Sequence, residues 1–145
     1  MISFDQLTED IVLDCDVEPK TRFKLRSLRF SDAEKIEAAK DAAGTVPVSA
    51  LHILSDKWKQ DGDQAQYTDE ERGWLDTNMK RTIAGEVKTC SLGVIEVDCH
   101  PVTPDQVEEM LDTIPLAMRD KVRAELAHRV AALGAPAPKS DEQSE

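Results

Sequence analysis

Aromatic side chains are scarce in this sequence: three Phe, two Trp and one Tyr, 4% of 145 residues. A core must therefore come from Leu, Ile, Val, Ala and Met, which suits packed helices better than a large sheet. Cysteine is rare too. Cys15, Cys90 and Cys99 are odd in number and form no CxxC pair, which argues against a disulfide framework and for free thiols in a reducing, cytoplasmic compartment. No apolar run approaches the ~20 residues that cross a bilayer. The stretch from Met1 to Asp14 carries Asp5, Glu9 and Asp10 where a signal peptide would be basic and then apolar. Positive charge is in deficit. Eighteen Lys and Arg against 29 Asp and Glu leave a net charge of −11, which opposes a role in binding nucleic acid, where phosphates must be neutralised.

What is present fits an ordered globular chain: 40% hydrophobic and 32% charged residues. The expected organisation is one globular domain over residues 1–133, followed by a disordered acidic tail over 134–145. Ile11-Val12-Leu13 is a short apolar run, and Thr21 to Ser27 alternates, with Phe23 and Leu25 on one face and Arg22, Lys24 and Arg26 on the other. A period of two with one apolar face predicts a half-buried strand, and the two segments predict a hairpin.

Ser31 with Glu34 predicts a capped helix start, with Gly44 as the stop. Pro47 opens a second helix in which Val48, Leu51, Leu54 and Trp58 share an apolar face. Gln60 to Gln66 is a polar loop. Thr68 with Glu71 repeats the capping box, and the helix that follows is expected to bury Leu75, Met79 and Ile83 and to stop at Gly85. Val87 to Cys99 favours β structure, and Glu96 and Asp98 on its polar face predict pairing with the basic strand. Thr103-Pro104-Asp105-Gln106 combines a hydroxyl cap, Pro at the first helical position, an acid in the first turn and Gln at the third position. Val107, Met110, Leu111 and Ile114 form its stripe. Pro115 interrupts, and a last helix carries Val122, Leu126, Val130 and Leu133. The fold class is α+β, mainly helical with about five helices, plus a small antiparallel sheet from the N-terminal hairpin and a strand near residue 95.

Chemistry-bearing constellations are thin. Asp98-Cys99-His100 is the cluster nearest to a metal site, but neighbours in a strand point to opposite faces, so Cys99 and His100 would not readily share an ion. There is no GxSxG elbow, no Gly-rich phosphate loop and no sequence-level triad. Glu70-Glu71 and Glu108-Glu109 read as solvated helix faces. No catalytic residue, metal or cofactor is assigned. The candidate partner-binding residues are Arg22, Lys24 and Arg26 on the basic strand, and Trp58 on a helix. The basic stripe serves equally as charge protection for an edge strand, and a face such as that of Trp58 ordinarily packs in a core.

The order of segments resembles a known family. Arg22-Phe23-Lys24-Leu25-Arg26-Ser27-Leu28-Arg29-Phe30-Ser31 resembles the FxLRxLTF opening of the small tail assembly chaperones of long-tailed bacteriophages. His100-Pro101-Val102-Thr103-Pro104-Asp105-Gln106-Val107-Glu108-Glu109-Met110-Leu111 is similar to their PVPFTPENVEELL stretch, and Ile114-Pro115 precedes a final helix, as in that family. The resemblance implies a non-catalytic chaperone in the cytoplasm of a bacterial host. It would bind the helical tape-measure protein, keep it soluble while tail-tube subunits polymerise, and then leave. An oligomer is compatible with this role. Two other expectations stand beside it: an acidic inhibitor that mimics nucleic acid on a host nucleic-acid-binding protein, and a minor structural protein of the phage tail or connector.

Overall fold

The computed structural model describes residues 8–13 and 21–133. It is an α+β protein. Strands β1 (Thr8–Leu13) and β2 (Thr21–Arg26) precede helices α1 (Phe30–Ala42), α2 (Val48–Asp61) and α3 (Asp69–Gly93). After these come β3 (Val94–Val97), β4 (His100–Pro101), α4 (Pro104–Thr113) and α5 (Leu116–Ala132). A single 3₁₀ turn, Gly62–Gln64, follows α2. The strands form one antiparallel sheet in the order β1-β2-β3-β4. The tail expected over 134–145 lies outside the described residues.

The predicted hairpin is present as β1 and β2, with Ile11 opposite Phe23. The predicted charge pairing is present as well. Lys24 stands opposite Glu96 in the β2–β3 register, and the Arg22 amide donates to Asp98 Oδ1 at 2.9 Å. The charges nevertheless do not protect an edge, because β2 lies between β1 and β3. The expected strand from Val87 to Cys99 is corrected most. Helix continues through Gly85 to Gly93, and the strand is only Val94–Val97. Asp98 and Cys99 then turn the chain into β4 with φ of +50° and +68°. Positive φ at both central residues matches the right-handed twist of a two-residue hairpin.

Gly85 reads as a helix stop but acts as a contact. A Cβ there would meet the Lys40 side chain at 3.1 Å, so the missing side chain lets helix α1 lie close. Helix α1 also starts elsewhere than predicted. Arg29, not Ser31, precedes its first turn, and Asp32 takes the role expected of Glu34. The Asp32 carboxylate accepts from the Arg29 amide at 2.8 Å and from Arg26 Nη1 at 2.9 Å. The other two capping boxes form as read: Thr68 with Glu71 and Thr103 with Gln106.

The chain divides into two compact units, one made of the described residues up to Ala33 and from Glu86 onward, the other of Glu34–Gly85. The first holds the main apolar core. Phe23 and Leu25 of β2 pack with Cys90, Val94, Val107, Leu111, Val122, Leu126 and Val130. The predicted stripes of α4 and α5 thus face inward. Each fully buried aliphatic side chain of this kind contributes roughly 1.5–3 kcal/mol. Arg123 is buried beside this core and is held by Glu86 and Asp120, each at 2.9 Å. Burial alone would lower its pKa, but hydrogen bonds to Glu86 and Asp120 outweigh that and raise it.

Candidate binding surfaces

The second unit is built differently. Among its described residues, Ala50 and Leu54 are the buried hydrophobic side chains. Helix α2 buries Ala50 and Leu54 and half-buries Lys57, which is a stripe with the three-to-four spacing of one helix face. The predicted stripe of Val48, Leu51, Leu54 and Trp58 is therefore split. Leu54 goes inward, while Val48, Leu51 and Trp58 remain 83%, 50% and 58% exposed. Lys57 occupies an inward place because its chain lies along the fold and its ammonium finds partners. It donates to the Gln66 carbonyl at 2.9 Å, pairs with the Glu71 carboxylate, and lies 5.5 Å from the centre of the Tyr67 ring.

Helix α3 departs from expectation in the same way. Its inward places here go to Glu71, Trp74, Thr77, Arg81 and Gly85, all buried or half-buried. Arg81 Nη1 donates to the Lys40 and Gly44 carbonyls at 3.2 and 2.6 Å and pairs with Asp41 at 3.0 Å. It thereby adds a second donor to the Lys40 carbonyl, which already accepts the Ala43 amide at 3.0 Å, and holds the Gly44 carbonyl just beyond α1. Leu75 and Met79, expected inside, are 38% and 63% exposed, and Ile83 is half-buried. Six of the eight large hydrophobic side chains exposed among the described residues lie in this unit, all on α2 and α3. A large exposed apolar surface rimmed by polar groups marks an interaction site.

The Glu71 carboxyl is held below its ordinary range, first by the hydrogen bond from Lys57 and then by the Thr68 amide. It thus caps α3 and joins α3 to α2 at once.

The basic residues singled out by sequence lie in the first unit, on β2. Arg26 is engaged by Asp32 and by the Ser27 carbonyl at 3.0 Å. Lys24 is half-buried, and Arg22 is exposed. Arg22 and Lys24 line a shallow cavity of about 220 Å³ together with Glu96 and Cys99. With Glu96 in the lining and Asp98 against the Arg22 amide, this surface is mixed in charge and not a continuous basic stripe. Trp58 belongs to the other unit.

Cys99, expected at the end of a strand, is exposed and sits in the β3–β4 turn beside His100. No group of three or more His, Cys, Asp or Glu side chains that could hold a metal occurs among the described residues. Cys90 is buried, and burial, reinforced by nearby Glu86, pushes its thiol up to about 12. Its Sγ donates to the Arg123 carbonyl at 3.5 Å. Among the described residues no helix is long and apolar enough to cross a membrane.

Sequence reasoning named Trp58 on α2 but assigned Leu75 and Met79 of α3 to a core, because apolar residues at a helical period ordinarily signal one. No protein-family profile matches the chain, and neither a curated protein nor a solved structure was found to be significantly similar to it.

Proposed function

We propose that this chain acts by binding, not by catalysis, as a chaperone that covers an amphipathic helical client through the α2–α3 hairpin. The observation that carries the reading is the inversion of burial in the second unit. Leu51, Trp58, Leu75 and Met79 face solvent while Lys57, Glu71 and Arg81 take inward places. Keeping large apolar side chains in water forgoes the stabilisation of their burial. A helical client with an apolar stripe would supply it, by laying that stripe against the exposed face.

The resemblance to phage tail assembly chaperones gives this reading a client, the tape-measure protein, and a setting, the cytoplasm of an infected bacterium. The tail-tube subunit is the second partner implied. A net charge of −11 would keep a loaded complex dispersed.

The test is co-expression with the tape-measure protein of the same genome, followed by pull-down on this chain. Transfer of that protein from the insoluble to the soluble fraction, together with co-purification, is the expected result. A tape-measure protein that stays insoluble beside a soluble, folded chain overturns the reading.

A further inference from the structure

The exposed apolar stripes of α2 and α3 do not stand in a neutral surround. Lys57 bonds the Gln66 carbonyl and Glu71, so it ties the end of α2 to the start of α3 and closes the hairpin there. At this closed end Asp56, Asp61, Asp63 and Glu70 are all exposed, and none of them forms an ion pair among the described residues. The α3 cations of this unit are committed elsewhere: Arg72 to Asp69, Lys80 to Asp76 and Arg81 to Asp41. Lys59 is the nearby counter-charge.

Two of these acids sit where helix physics disfavours them. Asp61 is the last residue of α2 and Asp63 lies in the turn just beyond. Both add negative charge to the negative end of the helix dipole, where a cation is the stabilising choice. Lys59 in the last turn of α2 offsets one of these charges, and the excess of carboxylates over cations at the closed end favours a counter-charge from outside. Trp58, one turn before the helix end, presents an indole face to solvent at the same place, and indole is the side chain best suited to receive a cation.

We infer that the α2–α3 hairpin takes a cationic amphipathic helix, whose apolar side covers Leu51, Trp58, Leu75 and Met79 and whose Lys or Arg side chains meet the carboxylates at the hairpin's closed end. This rests on the protein-binding reading above and adds the chemistry of the partner. Charge selects this occupant over a second copy of the chain. Two copies would each bring −11, and a two-fold pair would set like surfaces against each other.

The experiment uses the full chain and three labelled synthetic peptides of equal length, with binding followed by fluorescence anisotropy at low and high salt. One peptide is an amphipathic helix with a Lys/Arg polar face. The second has the same apolar face with a Glu polar face. The third has the composition of the first, scrambled to abolish amphipathicity. The basic amphipathic peptide is expected to bind at least about tenfold more tightly than either control, with the preference over the Glu peptide shrinking as salt is raised. Neutralising Asp61 and Asp63 together (D61N/D63N) is expected to weaken it roughly fivefold. Neutralising the exposed Glu109 and Asp112 on α4 (E109Q/D112N) controls for net charge and should change it by less than about twofold.

Equal binding of the basic and acidic helices overturns the charge preference while leaving the chaperone reading intact. Equal binding of the scrambled peptide removes the apolar face from the interaction. A dimer in analytical ultracentrifugation that Leu51→Ser dissociates would make the face a contact between copies and overturn the proposal. Failure of all three peptides overturns it too. The co-expression result then judges the chaperone reading separately.

Discussion

Gly93 and Val130 occupy the same small volume: a Cβ placed on Gly93 would stand 2.6 Å from Val130 Cγ2 and closer still to Cγ1. The last residue of α3 thus meets α5 at a distance that only glycine permits, and Val130 is fully buried. Two effects compete in Gly93→Ala. Helix propensity favours Ala by about 1 kcal/mol, whereas overpacking of a close contact costs roughly 1–3 kcal/mol. Because the clash is with a fully buried branched side chain, overpacking should win. Net destabilisation of about 1–2 kcal/mol by urea unfolding is expected, and Val130→Ala in the same chain should recover part of it. A neutral or stabilised Gly93→Ala would show that the two helices are not in this contact.

The split stripe of α2 makes a direct comparison. Leu54→Ala removes a buried side chain and should cost about 2–3 kcal/mol. Leu51→Ala, three residues earlier on the exposed side, should stay within about 0.5 kcal/mol of the parent. Chemical denaturation of both variants checks the assignment. The reverse order would restore the single-stripe reading of Val48, Leu51, Leu54 and Trp58.

Glu71 gives a pH signature. Its folded pKa lies below the ordinary value of 4.5, chiefly through the Lys57 hydrogen bond. The stability this carboxylate contributes is therefore fully present above pH 4.5 and is lost as pH falls through the depressed folded value. Glu71→Gln should lower Tm at neutral pH and bring the variant and parent curves together in acid. Parallel Tm–pH curves would mean that the Lys57–Glu71 pair does not contribute.

The thiols should differ sharply. With its pKa pushed up to about 12, the buried Cys90 thiol stays protonated at neutral pH. Iodoacetamide on the folded chain at pH 7.5 should label Cys99 and leave Cys90 intact until denaturant is added, as read by peptide mass spectrometry. Early labelling of Cys90 would show that the packing of α3 against α5 opens readily.

Legibility followed the range of the forces. The starts of α3 and α4 were readable because a capping box is closed within four residues, Thr68 to Glu71 and Thr103 to Gln106. The Lys24–Glu96 pairing was readable because strand alternation and opposite charge point the same way. The start of α1 was misread although it uses the same chemistry. Ser31 and Glu34 match the pattern, but Arg26 lies six residues before Asp32 and joins it to the end of β2, so the helix starts two residues earlier with Asp32 accepting from the Arg29 amide, half of a capping box.

The candidate surface was legible only in part. Trp58 could be named from sequence, while Leu75 and Met79 were assigned to a core that does not receive them. By itself the sequence determined the mainly helical α+β class, the caps and the strand pairing, since each is decided by neighbours along the chain or by a repeating period. Only the tertiary structure decided which stripe of α2 and α3 is covered, and whether Gly85 and Gly93 end helices or admit neighbours. A period shows that a helix has an apolar side; what comes to lie against it depends on contacts made by residues far apart in the chain.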